Sequence, residues 1–103
     1  LLLDGMVIMP KVDNDCILTK DQVVEIIAHF GPIAQIDKMV EEASELILAL
    51  IHFKSKKASH AQVIDEIADV LIMASQLRHI FDADQVDKRI DHKLERLQNK
   101  IKK

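Results

Sequence analysis

Tryptophan and tyrosine are absent from this chain, and only two glycines, two prolines and one cysteine occur among its 103 residues. So little turn and aromatic chemistry leaves few ways to build hairpins or a stacked sheet core. The abundance of Ala, Leu, Ile, Lys, Glu and Asp points to an all-helical domain. With Cys16 alone, no intramolecular disulfide can form, which fits a reducing cytoplasm. No apolar run approaches the roughly 20 residues of a membrane span. The opening LLLDGMVIMP is apolar but short, without the basic flank and small-residue cleavage site of a signal peptide. No functional weight falls on residues 1–8. A net charge of −3 argues against general affinity for nucleic acid or an anionic membrane. What is present, 49% hydrophobic and 30% charged residues, describes one folded domain with a soluble surface.

Residues 1–18 read as a partly disordered lead-in and residues 19–103 as the helical domain. Thr19 and Gln22 match a capping box that opens a helix over about 20–29. Gly31-Pro32 ends that helix and starts the next, since Pro suits a first helical position. The second helix should run over about 32–53, with Ile36, Val40, Ala43, Ile47 and Leu50 as one apolar stripe. At about 100° per residue, Gln35, Lys38, Glu42, Glu45 and His52 share a roughly opposite arc. Ser59 and Gln62 form a second capping box for a helix reaching about residue 81. Its stripe is Val63, Ile64, Ile67, Leu71 and Ala74; Gln62, Glu66, Asp69, Met73 and Gln76 share another face. Asp82 or Asp84 can cap a last helix over about 84–101, with Val86, Ile90, Leu94, Leu97 and Ile101 as its seam. Short connections then predict an antiparallel four-helix, bundle-like arrangement. Its first helix is short, so oligomerisation is expected to complete it.

The acidic residues raise the functional question. EEASE (41–45) sets Glu42 and Glu45 three residues apart, and DEIAD (65–69) does the same with Glu66 and Asp69. Like charges at this spacing cost an isolated helix about 0.2–0.5 kcal/mol per pair. If the chain reverses near Lys57, Glu45 and Asp69 are level and all four carboxylates can converge on one volume. Such a cluster needs a counter-charge. Hard divalent cations supply it, and Mg²⁺ favours a few carboxylates together with phosphate oxygens. No histidine or thiolate cluster accompanies them to favour zinc. The plainer reading leaves each pair on a solvated helix face.

EEASE, twenty intervening residues and then EIAD resembles the paired EExxE and ExxD motifs of the all-α nucleoside triphosphate pyrophosphatases, the MazG-like superfamily. QIDKMVEEASELILAL, VIDEIADVLIMASQL and HKLERLQNKI resemble consecutive helices of its short members, so the likeness covers about residues 20–101. It implies Mg²⁺-dependent hydrolysis of a nucleoside triphosphate to the monophosphate and pyrophosphate, with Mn²⁺ as an alternative ion and a metal-activated water attacking the α-phosphorus. Carried over by position, Glu42, Glu45, Glu66 and Asp69 are the metal ligands. Glu41 matches the first Glu of the motif.

Gln35 and Lys38 lie in the turns before Glu42 and are candidates to meet base, sugar or phosphate; an exposed pair is the alternative. Arg89, Lys93, Arg96 and Lys100 make a basic stripe, of which Lys93 and Arg96 are the preferred phosphate contacts. A solvated face, or pairing with acids across a subunit boundary, accounts for it equally well. The absence of any Glu-x-x-His argues against a ferritin-like di-iron bundle. The expectation is thus a cytoplasmic, homo-oligomeric (dimeric or tetrameric) pyrophosphohydrolase. A non-enzymatic helical interaction module and a nucleotide-binding sensor of the same fold are its rivals.

Overall fold

The computed structural model of the protein describes residues 17–102, so nearly all of the expected lead-in, Cys16 included, lies outside the described residues. Four helices follow in order: α1 (Lys20–Phe30), α2 (Pro32–Lys54), α3 (His60–Phe81) and α4 (Ala83–Ile101). The all-α expectation holds, and each boundary falls within a residue or so of the one read from caps and breakers.

Local chemistry explains the boundaries. Both capping boxes form: the Gln22 amide donates to Thr19 Oγ1 at 3.1 Å while Thr19 N–H donates to the Gln22 side chain at 2.9 Å. Ser59 and Gln62 repeat the exchange at 3.1 and 2.8 Å. Gly31 takes φ +91°, with nothing within 4 Å of an added Cβ, so its backbone sign rather than crowding favours glycine there. Of the two candidate caps for α4, Asp82 is used, accepting from the Gln85 amide at 3.1 Å. That backbone hydrogen bond is the main reason its carboxyl lies below the usual range.

At the end of α2, Lys57 N–H donates to the His52 carbonyl at 2.7 Å and Lys56 N–H to that of Phe53 at 3.0 Å. Lys56 sits at φ 64°, completing a Schellman turn. The turn folds residues 55–57 back over the last turn of α2, so the reversal centres before Lys57.

Packing is dominated by the α2–α3 hairpin. α1 lies against both of its helices, and α4 against α3 alone. Arg78 ties α3 to α4 through a two-pronged contact with Asp87 at 2.8 and 2.7 Å, which lowers the Asp87 carboxyl. The buried set is small and half polar: Val23, Val63 and Met73 with Gln35, Glu42 and Gln76. Gln35 Nε2 donates to Gln76 Oε1 at 2.5 Å, and Gln76 is only 2% exposed. Among the described residues no buried side-chain N or O lacks a partner.

The apolar stripes divide. On α2, Ile36 and Ala43 are half-buried while Val40, Ile47 and Leu50 are exposed; on α3, Val63 is buried while Ile64, Ile67 and Leu71 are exposed. A two-helix layer shields only the lines along which its helices meet, and here Gln35, Glu42, Met73 and Gln76 lie on those lines. Rotating one way from them reaches Glu45 on α2 and Asp69 and Asp65 on α3. Rotating the other way reaches Ile47 and Val40 on α2 and Ile67, Leu71 and Ile64 on α3. In an antiparallel pair the same sense of rotation leads to the same side. The hairpin therefore has one acidic side and one apolar side.

Candidate metal centre

Helix α2 supplies Glu42 and Glu45 on adjacent turns, and α3 supplies Glu66 and Asp69 to face them. Asp69 lies close enough to Glu42, and Glu45 to Glu66, to raise the carboxyls of Glu42 and Glu66. The partner of Asp69 is thus Glu42, rather than the Glu45 expected for a reversal at Lys57. The fold-back at Ser55–Lys57 accounts for that difference of three residues. Carboxylates gathered this closely disfavour one another's charge, so the cluster is short of positive charge.

Its electrostatics follow from position. Glu42, 8% exposed, has its carboxyl raised above the ordinary range, first by burial and then by Asp69 and Glu45. Glu66 is raised for the same first reason, with Glu45, Asp69 and Asp65 adding to it. The nearby cation is Lys38, whose Nζ stands 2.8 Å from Glu41 and 3.8 Å from Glu42. Its own pKa is raised, chiefly by the hydrogen bond to Glu41. Lys38 and Glu41 are both exposed, and such a pair contributes little to stability. Lys38 lowers Glu42 without cancelling the burial and the neighbouring acids.

Asp65, Glu66 and Asp69 each offer a carboxylate oxygen, all within 4.8 Å of one another, a set able to hold a cation. Asp65 was not among the expected ligands. Its signal was the i,i+4 step to Asp69 within DEIAD, which puts the two on one face as surely as the i,i+3 step does for Glu66.

A cleft of about 380 Å³ opens beside the acids, lined by Glu45, Asp65 and Glu66 at one end and by His52 and Lys57 toward the turn. Gln62 also lines it, held by its capping bond to Ser59. Of the expected substrate contacts, Lys38 flanks the acids and Gln35 is buried against Gln76. Lys93 and Arg96 are exposed on α4 and line a separate depression of about 270 Å³ with Leu97 and Lys100. α4 does not pack on α2, so within one chain the basic stripe and the Glu42–Glu45 pair stand apart.

No protein-family model, curated protein or solved structure matches this chain. The functional reading therefore rests on the site itself and on the motif resemblance.

Proposed function

We propose that the protein is a Mg²⁺-dependent nucleoside triphosphate pyrophosphohydrolase of the MazG-like type, converting a ribo- or deoxynucleoside triphosphate to the monophosphate and pyrophosphate. It acts as a cytoplasmic homo-oligomer. The observation that carries this reading is the convergence of two acidic pairs, Glu42 with Asp69 and Glu45 with Glu66, from two helices beside one cleft.

The donor set fits a hard divalent ion: it is all carboxylate oxygen, partly shielded from water, and under-compensated in charge. Asp65, Glu66 and Asp69 would hold the ion, with Glu42 and Glu45 facing it from α2. When bound, Mg²⁺ supplies neutralisation of phosphate charge and Lewis-acid assistance to hydrolysis. The chain's own groups do the rest. Lys38, which pairs with Glu41 and stands near Glu42, would meet a phosphate oxygen. His52 and Lys57 give the far end of the cleft the donors that an anionic polyphosphate requires. A carboxylate at the cleft can accept the proton released by the attacking water.

The test offers the purified protein Mg²⁺ and a panel of nucleoside triphosphates and resolves the products by chromatography. Monophosphate and pyrophosphate from some member, lost in Glu45→Gln, is the expected result. Diphosphate with orthophosphate would contradict the reaction assigned. The exposed apolar side of the hairpin favours a second reading, a helical interaction module, which predicts neither turnover nor a response to divalent ions.

A further inference from the structure

Gln62, the third residue of α3, lines the cleft together with Asp65 and Glu66 on its acidic side and Lys57 and His52 toward the turn. It precedes Glu66 by four residues and Asp65 by three, so the three share one face of α3, with Gln62 about 6 Å nearer the turn than Glu66. Its side-chain oxygen is already committed: Oε1 accepts from the Ser59 N–H at 2.8 Å. A backbone N–H only donates, so the oxygen faces the cap and the amide nitrogen is turned from it. Among the described residues nothing accepts from that Nε2, and the side chain is exposed. The cap thus holds a neutral, unused hydrogen-bond donor at the wall of the cleft. Glutamate would serve the capping box as well. What glutamine adds is the amide donor, and no further charge beside the acids.

We propose that Gln62 is a substrate-binding residue whose Nε2 donates to a phosphate beyond the one at the ion, so that the cleft grips a polyphosphate chain rather than a single phosphate. The assignment rests on the polyphosphate reading above and names a contact which that reading leaves out. Charge changes sign along the cleft, from Glu45, Asp65 and Glu66 to Lys57 and His52, and Gln62 sits at the changeover. A ligand that fills such a cleft has to bring a cation to one end and acceptor oxygens to the other. A metal-chelated polyphosphate does both. A neutral amide suits the changeover. An ammonium there would pair with Glu66 one turn on and be lost to the ligand, and a carboxylate would repel it. The remaining walls, Leu48, Ala49 and Ala58, carry no side-chain donor. The Ser59 N–H also fixes the orientation of the amide before the ligand arrives, which lowers the ordering cost of the contact.

Calorimetric titration of the full chain with inorganic tripolyphosphate in Mg²⁺ tests the contact without base or sugar. Gln62→Met removes the donor and adds no charge. It should raise the tripolyphosphate dissociation constant about tenfold or more, as for a lost hydrogen bond to a charged group. Its affinity for Mn²⁺ alone should not move. Ser59→Ala weakens the same cap but keeps Gln62, and should bind tripolyphosphate as the wild type does. Gln62→Glu keeps the capping acceptor, so its Tm should match the wild type while its affinity falls at least as far. If Gln62→Met does not fold, Gln62→Glu carries the test. Wild-type affinity in the folded Gln62 variants would overturn the proposal and leave the polyphosphate reading standing. An equal loss in Ser59→Ala and Gln62→Met would overturn it too, by making the effect one of the cap. A wild type that binds no tripolyphosphate would sink the polyphosphate reading itself, and this contact with it.

Discussion

Glu42 meets Asp69 across the hairpin in the same register in which Gln35 donates to Gln76. Seven residues separate Gln35 from Glu42, and seven separate Gln76 from Asp69. Three more on each helix lead to Glu45 and Glu66, which are also paired. The buried amide pair thus fixes the vertical alignment of α2 on α3, and that alignment delivers the carboxylates to one another.

Disturbing the amide pair should be costly in a specific way. Gln76→Leu leaves the buried Gln35 amide without its partner, and stability to urea should fall by about 1–3 kcal/mol. Replacing both residues by Leu removes the orphaned group and should recover most of that loss. Equal and additive losses would show that the two amides do not act as a pair.

Acid pH should stabilise the metal-free protein before it unfolds it. Glu42 and Glu66 have folded-state carboxyls raised above their unfolded values, so their favourable contribution is complete below the ordinary carboxylate range and is lost as pH rises through the raised values. Asp82 and Asp87 are lowered, so theirs is present above that range and is lost as pH falls through the depressed values. In chelator, Tm should therefore rise from neutral pH toward about pH 5 and fall in stronger acid. Glu42→Gln/Glu66→Gln should flatten the rise. An unchanged slope in the double variant would contradict the assignment.

Asp65 offers an oxygen to the same small volume as Glu66 and Asp69. Asp65→Asn should weaken divalent binding by about tenfold or more, since one of three converging carboxylates is lost and even an outer-shell partner costs that much. Calorimetric titration with Mn²⁺ reads this directly. Wild-type affinity in the variant would remove Asp65 from the centre.

Ser59 holds the start of α3 through the Gln62 amide at 3.1 Å, and Gln62 lines the cleft. Ser59→Ala should cost about 1 kcal/mol of stability through the lost cap. The Ser59 N–H survives in the variant and still donates to the Gln62 side chain at the cleft, so the Michaelis constant for the triphosphate should stay unchanged. A raised Michaelis constant would show that the cap hydroxyl also orders the cleft.

The helices were legible because their ends are written locally: Thr19 with Gln22, Gly31-Pro32, Ser59 with Gln62, and Asp82 all act within four residues of themselves. The approach of the acidic faces was legible for a related reason, since helical period and hairpin topology place them on one side. Which carboxylate meets which was not, because the Schellman turn at Lys56 shifts the register by three residues and its αL residue is not a glycine. Nor did the apolar stripe show what it packs against. Periodicity marks a hydrophobic face and not its partner, and Val40, Ile47 and Leu50 are exposed while Gln35 and Gln76 are buried.

The central claim is that the four converged carboxylates form a divalent-cation centre, and thermal unfolding with and without millimolar Mg²⁺, in the absence of nucleotide, tests it most directly. The wild type should gain stability by mass action, with Tm rising by about 4–8 °C for each kcal/mol of linkage in a domain of this size. Glu45→Gln and Asp69→Asn, both folded, should gain almost nothing. An equal rise in the wild type and both variants, or none in any of them, would return these carboxylates to an ordinary solvated face.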